Sequence, residues 1–290
     1  MNVARSPGEL ETRSRAVAVG TFDGVHIGHR RVLEAASDQG PALTPTVVSF
    51  WPHPRVVLGN EVGLLTTLER RLELLADAAI DEALVVEFTP HVAEMAPEAF
   101  ADEVLRPIGT ELVVAGSDFR FGRGRAGDLD TLERLGFAVE RVDLVPDVSS
   151  TAIRGLLREG DVVEAARLLG RPAEVEGMVV SGDARGGTLG YPTANLRVEP
   201  DLLVPAFGIY AGWAAGHRAA VSIGTNPHYG GHERRVEAFL LDFDGDLYGE
   251  RLVLELWKRL REEQAFGSEA ALVEQIGRDV EAARAAERPV

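Results

Sequence analysis

The chain has 290 residues, no cysteine and a formal net charge of −16, and its length suggests about two domains. Disulfides and thiolate metal sites are excluded, and the acidic balance argues against a nucleic-acid partner, which needs a basic face to displace counterions. No apolar run is long enough to cross a bilayer and Met1–Arg15 has no apolar h-region, so a cytoplasmic protein without a membrane partner is expected.

Taken in chain order, short apolar runs alternate with helical patterns. Ala16–Val19 reads as a buried strand, Arg30–Ser37 as a helix and Thr46–Phe50 as a β-branched strand. Leu68–Ala79 follows as a helix with Leu68, Leu72 and Leu75 at helical spacing, then Ala83–Phe88 as a strand. Pro97–Leu105 reads as one helix with proline in its first turn, and Leu112–Ala115 as a strand. A helix near Leu129–Leu135 and a fifth strand at Phe137–Val142 complete a doubly wound α/β domain with a parallel sheet. Two short helices over Ser150–Leu169, broken near Gly160-Asp161, bridge to the second domain. After Arg171-Pro172 short strands take over, at Gly177–Val180, Ile209–Ala214, Ala219–Ile223, Val236–Asp242 and Leu252–Trp257. They predict a small β-barrel, with Asp244-Gly245 as a hairpin-turn signal. Ser268–Ala285 closes the chain as an amphipathic helix with Leu272, Ile276 and Val280 on one stripe. The expected division is residues 1–170, bridging helices included, and 171–290.

Lys258 is the single lysine and no G-x-x-x-x-G-K-[ST] string occurs. Any ATP chemistry must therefore hold phosphates with His, Arg, Mg²⁺ and backbone N–H groups. The sharpest string, Gly20-Thr21-Phe22-Asp23-Gly24-Val25-His26-Ile27-Gly28-His29, sits where a strand ends and a helix begins, a place that favours an anion. His26 and His29 can face a triphosphate from the first helical turn, and Gly28 permits close approach of the nucleotide. Two other readings exist: the histidines as surface or cap residues, and a metal site of Asp23, His26, His29 and His53.

Further strings accompany it. Phe50-Trp51-Pro52-His53-Pro54 is a stiff loop carrying aromatic rings, and Gly116-Ser117-Asp118-Phe119-Arg120-Phe121-Gly122 suits a planar heterocycle bearing a phosphate. Ser149, Ser150 and Thr151 open a helix, where they cap it or, with Arg154, hold nucleotide phosphates. In the second half the loop Ser181-Gly182-Asp183-Ala184-Arg185-Gly186-Gly187 can wrap phosphates, with Gly182, Arg185 and Gly186 as its contacts. Gly190-Tyr191-Pro192-Thr193-Ala194-Asn195 offers a hydroxyl and a carboxamide oxygen, from Thr193 and Asn195, to one Mg²⁺.

Together, G-x-F-D-G-V-H-x-G-H, F-x-P-H-P, G-x-D-F-R-F-G, S-S-T-x-I-R and P-T-A-N resemble the prokaryotic bifunctional FAD synthetases, the riboflavin kinase/FMN adenylyltransferases. The resemblance runs from about Ala16 to Ala285, with departures at Trp51, Gly187 and His228-Tyr229. It implies a nucleotidyltransferase domain that makes FAD from FMN and ATP, followed by a kinase barrel that makes FMN from riboflavin and ATP. His26, His29 and Arg154 would stabilise the transferase's phosphates. Gly20, Phe22, Asp23 and Gly28 would bind the nucleotide, and Phe50, Pro52, His53, Asp118 and Phe119 the flavin. In the kinase, Thr193 and Asn195 would bind Mg²⁺ and ATP, Glu237 would be the base on the ribityl hydroxyl, and Asp242–Gly249 a structural hairpin. FMN and FAD would be substrate and product, and the protein a monomer or weak homo-oligomer. Two alternatives stand beside this reading: one retained activity, or a non-catalytic flavin-binding regulator.

Overall fold

The computed structural model describes residues 1–181, 191–225 and 234–290. The chain folds as two compact units, Met1–Ser150 and Thr151–Val290.

The first unit is built on a six-stranded sheet of β1 (Asn2–Ala4), β2 (Arg15–Val19), β3 (Thr44–Trp51), β4 (Glu82–Glu87), β5 (Thr110–Gly116) and β6 (Ala138–Val142), in the order β1-β4-β3-β2-β5-β6. Every pairing is parallel. Val17, Val47, Val48, Leu84, Val113 and Val114 are fully buried, as expected of strands covered on both faces. The helical segments are α1 (Ile27–Ser37), α2 (Pro54–Val57), α3 (Leu68–Asp77), α4 (Pro90–Ala93), α5 (Pro97–Phe100) and α6 (Leu129–Arg134). Sequence order reverses at β2, which lies between β3 and β5, and ligands in such sheets bind outside the carboxyl ends of the strands at that reversal. The H-x-G-H string follows β2, F-W-P-H-P follows β3 and G-S-D-F-R-F-G follows β5, so all three gather at one edge.

The short helices α2 and α4 are additions to the sequence expectation, each four residues long and so too short to show a helical period, and three further features differ from it. The expected helix over Pro97–Leu105 is α5 followed by a wider π-helical turn, Ala101–Leu105. α1 begins three residues earlier than its apolar periodicity indicates, because His26 caps it. β1 is an additional edge strand, whose three residues are too few to carry a periodic signal.

α7 (Ser150–Glu159) opens on Ser150, the last residue of the first unit, and continues into the second, where it is separated from α8 (Val162–Leu169) at Gly160, whose φ is +83°; Asp161 caps α8 by accepting the Glu164 N–H at 3.0 Å. Strands β7 (Ala173–Val180), β8 (Ala194–Arg197), β9 (Gly208–Ala214), β10 (His217–Thr225), β11 (Arg234–Leu240) and β12 (Arg251–Arg261) form a closed antiparallel barrel in the order β10-β11-β8-β7-β12-β9. Val221, Ile223, Val236, Ala238, Leu254 and Leu256 alternate along their strands and fill its interior. The Asp244-Gly245 hairpin is a misreading: β11 pairs with β8 and β10, whereas β12 pairs with β7 and β9. Residues 241–250, including the expected hairpin Asp242–Gly249, are therefore a crossing connection. Its far end is tied to β7 by the Gly249 N–H donating to the Val179 carbonyl at 2.9 Å.

The terminal helix α9 (Glu269–Ala285) buries Asp279, Val280 and Ala283. Of the expected stripe only Val280 is buried, and Leu272 and Ile276 are half-buried. Asp279 is accommodated because the Arg261 guanidinium donates to its carboxylate, at 2.7 Å from Nη2.

Candidate functional site

The H-x-G-H turn has an unusual backbone. Phe22, Gly24 and Val25 have φ of 50°, 84° and 39°. A β-branched residue there is a steric outlier, and such strain persists only where the surroundings over-determine it. The turn delivers His26 to the N-cap of α1, where its Nδ1 accepts the His29 N–H at 3.2 Å. The two imidazoles stack with centroids 3.6 Å apart and planes 14° apart, and Phe22 meets His29 edge-on at 5.2 Å. A Cβ on Gly28 would lie 3.2 Å from the His26 ring, so this glycine makes room for the stacked pair. Gly20 closes β2, with its N–H on the Val48 carbonyl at 3.1 Å.

Asp23 is fully buried. Its carboxylate accepts from the Leu65 N–H at 3.1 Å, the Thr66 N–H and hydroxyl at 3.2 Å each, and Arg71 Nη2 at 3.3 Å. Its backbone carbonyl accepts the Ser150 hydroxyl at 3.0 Å. Ser150 opens α7 and shares a helix face with Arg154, four residues on, which is buried. Ser149 and Thr151 flank Ser150 and are exposed. The alternative metal site does not form: Asp23 is engaged by these donors, and His26 and His53 turn Nδ1 onto backbone N–H groups, the latter of Arg55 at 3.1 Å. Among the described residues no three His, Asp or Glu side chains are arranged to hold a metal.

The F-W-P-H-P and G-S-D-F-R-F-G strings meet through aromatic rings. Phe50 contacts Phe88 at 5.7 Å and Phe100 at 6.1 Å; Phe100 contacts Phe121 at 5.7 Å; Phe121 stacks on Phe119 at 5.6 Å. This run joins the end of β3 to the loop after β5. The Trp51-Pro52 bond is cis, and His53 caps α2. Asp118 is exposed at the loop's surface.

On the barrel, Glu237 lies directly opposite Asn195 on β8 and Ser222 on β10. Val236 and Ala238 point inward, so Glu237, Asn195 and Ser222 form a row across the outer face, with paired Cβ atoms about 5 Å apart. Arg235 donates to Glu237 Oε1 at 3.1 Å, and the Asn195 amide nitrogen donates to the Thr193 carbonyl at 3.3 Å. The Thr193 hydroxyl and the Asn195 carboxamide oxygen are hard-oxygen groups of the kind that Mg²⁺ takes. Glu263, just beyond β12, fills the space a Cβ on Gly224 would need, and partial burial pushes its carboxyl above the ordinary range. Gly182, Arg185, Gly186, Gly187 and His228-Tyr229 lie outside the described residues.

Sequence reading missed Arg71, Thr66 and Phe100. Arg71 left a signal: it is a charged residue on the buried face of α3, beside Leu74 and Leu75. Thr66 and Phe100 left none, since each looks like an ordinary loop or core residue.

The model of the riboflavin kinase family matches residues 169–287, and that of the FAD synthetase family residues 9–154. The chain is 36% identical to the bifunctional riboflavin kinase/FMN adenylyltransferase of Listeria monocytogenes, over 94% of this chain and 92% of that protein. Identity to the proteins of that name from Bacillus subtilis and Escherichia coli is 33%, over 93% and 98% of this chain and 91% and 95% of theirs. A crystal structure described as a macrolide-efflux protein from Streptococcus pneumoniae superposes with a TM-score of 0.87 at 31% identity, covering 98% of both chains. That description is of the pneumococcal protein; among the described residues here no helix is long and apolar enough to cross a membrane.

Proposed function

This chain belongs to the family of bifunctional riboflavin kinase/FMN adenylyltransferases, and from that premise we propose that it converts riboflavin to FMN in the barrel and FMN to FAD in the N-terminal domain, with the roles below. The observation that carries the reading is that the two family matches fall on successive parts of a chain that itself folds as two units. We assign the transferase to residues 1–170 and the kinase to 171–290.

In the transferase, an FMN phosphate oxygen attacks the α-phosphorus of ATP and pyrophosphate leaves. The attacking phosphate is already ionised, so no protein base is needed. His26, His29, Arg154 and the amino end of α1 stabilise the charge that develops on the phosphates. Gly20, Phe22, Gly28, Ser149, Ser150 and Thr151 line the nucleotide, and Phe50, Pro52, His53, Asp118 and Phe119 the flavin. Asp23 belongs to this site too, and its engaged carboxylate supports a role in holding the turn.

In the kinase, Glu237 takes the proton from the riboflavin 5′-hydroxyl as its oxygen attacks the γ-phosphorus and ADP leaves. Arg235 and the register with Asn195 support this role by holding the carboxylate beside the phosphate-binding strand. Thr193 and Asn195 would hold Mg²⁺, which would supply neutralisation of the ATP phosphates' charge; Gly182, Arg185 and Gly186 are assigned to the same ATP. Riboflavin, FMN and ATP are all small molecules, and we place the protein, as a monomer or weak homo-oligomer, in the cytoplasm, a location that its lack of cysteine supports.

The test is chromatography of flavins after incubation with riboflavin, ATP and Mg²⁺. Wild type yields FMN and then FAD, His26→Ala stops at FMN, and Glu237→Ala makes FAD only from supplied FMN. Flavin binding with no product from wild type overturns the enzyme reading in favour of a flavin-binding regulator.

A further inference from the structure

We propose that the buried Asp23–Arg71 pair, bridged by Thr66, is a positioning unit for adenylyl transfer: it holds the H-x-G-H turn in register with the flavin-side loop and the start of α7. The inference rests on the reading that residues 20–29 form the transferase site.

Asp23 and Arg71 are both fully buried and 3.3 Å apart. A buried ion pair is weak evidence of stabilisation, since desolvation of the two charges offsets much of their attraction. Its value here lies in what it connects. The Thr66 hydroxyl donates to Asp23 Oδ1 at 3.2 Å and accepts the Gly24 N–H at 3.3 Å, so it bridges the carboxylate to the backbone of the strained turn. The Leu65 and Thr66 N–H groups hold the carboxylate from the segment that leads into α3. Through its carbonyl, Asp23 also fixes Ser150. On the other side, the Arg71 guanidinium lies over the Trp51 ring, 5.4 Å from its centroid, next to Pro52 and His53. Three of the four strings assigned to substrate, H-x-G-H, F-W-P-H-P and S-S-T-x-I-R, thus meet at one residue, Asp23, the second through Arg71 and the third through the Asp23 carbonyl, while its carboxylate faces the protein interior.

The second observation is the strain itself. Phe22, Gly24 and Val25 all have positive φ, on both sides of Asp23. A turn with this backbone relaxes unless it is held, and relaxation moves His26 and His29, which lie three and six residues on. Asp23 is therefore a positioning residue that acts on the reaction through the imidazoles.

The test compares Asp23→Asn, Thr66→Val and Thr66→Ser with wild type. For each, kcat and KM for ATP and FMN are measured in adenylylation, with the riboflavin kinase rate and the melting transition of the full chain as controls. Asp23→Asn and Thr66→Val should lower the adenylylation kcat by about ten- to a hundredfold, with KM changed less than about threefold. Thr66→Ser, which keeps the hydroxyl, should stay within about twofold, as should every kinase rate. Should Asp23→Asn fail to fold, the two Thr66 variants decide the matter between them. A wild-type kcat in Thr66→Val, or equal losses in Thr66→Val and Thr66→Ser that follow the melting transition, overturns the positioning role. Unimpaired FAD formation by His26→Ala would instead remove the site assignment beneath it.

Discussion

Gly24→Ala puts the geometry of the H-x-G-H turn to a quantitative test. Gly24 has φ +84°, and a Cβ there would fall 2.7 Å from Leu65 Cδ1. Left-handed backbone at a residue with a Cβ costs roughly 1–2 kcal/mol. Crowding a packed side chain adds about 1–3 kcal/mol. The first unit should therefore lose about 2–5 kcal/mol of unfolding free energy, a large part of the usual margin for a domain. Leu65 is also a donor to Asp23, so pushing it aside lengthens a bond that holds the turn. Adenylylation should fall while the kinase rate does not. Urea titration followed by circular dichroism reads the stability, and flavin chromatography the two rates. The double variant Gly24→Ala/Leu65→Ala removes the crowding and leaves the backbone term, so the two substitutions should couple by about 1–3 kcal/mol. A loss below about 1 kcal/mol with unchanged adenylylation would refute the reasoning, because neither the backbone term nor the clash would then be real.

Phe100→Ala should destabilise the first unit by about 3–5 kcal/mol and weaken FMN binding, read by calorimetry and flavin fluorescence, because the ring joins Phe50 to Phe121. Phe100→Leu should restore most of the stability and little of the aromatic contact. Asn195→Ala should raise the Mg²⁺ concentration needed for half-maximal riboflavin phosphorylation and leave adenylylation unchanged; equal Mg²⁺ dependence in both proteins would count against the assigned ligand. The Arg284 guanidinium holds the Asp242 carboxyl below its ordinary range. The unfolded chain then binds the proton more readily than the folded one, so the pair's contribution is present above the ordinary carboxylate pKa and fades as pH falls through the depressed value. The melting difference between wild type and Asp242→Asn should accordingly be small at pH 7, shrink toward zero in acid and shrink in high salt; a difference that grows in acid would contradict the sign.

Local pattern carries far in this chain because its first unit is made of strands buried on both faces, and such strands announce themselves as unbroken apolar runs. Ala16–Val19, Thr46–Phe50 and Leu112–Ala115 are legible for that reason, as is the break at Gly160-Asp161, where a left-handed glycine and a capping aspartate stand together. The motif strings are legible for a different reason: H-x-G-H, F-x-P-H-P and P-T-A-N are contiguous, so sequence order alone exhibits them. What sequence does not contain is pairing between distant segments. The Asp244-Gly245 turn signal is real locally, yet β12 inserts between β7 and β9, since closing the barrel pairs every strand edge and a simple meander hairpin would leave β7 unpaired on one side. β8 has only four residues and depends on β7 and β11 for its hydrogen bonds. The same holds for side chains. Asn195 and Glu237 lie 42 positions apart in sequence and become neighbours only through the β8–β11 register. Arg71 stands on the buried face of α3, but its partner Asp23 is 48 positions away in sequence and only the fold brings the two together. Sequence by itself determined most of the strands and the longer helices and exhibited the contiguous motif strings, because those depend on neighbours along the chain. Tertiary structure alone decided that the Asp23 carboxylate is buried and engaged while Glu237 lies opposite Asn195 on the barrel, because that depends on the partners that long-range packing brings within reach.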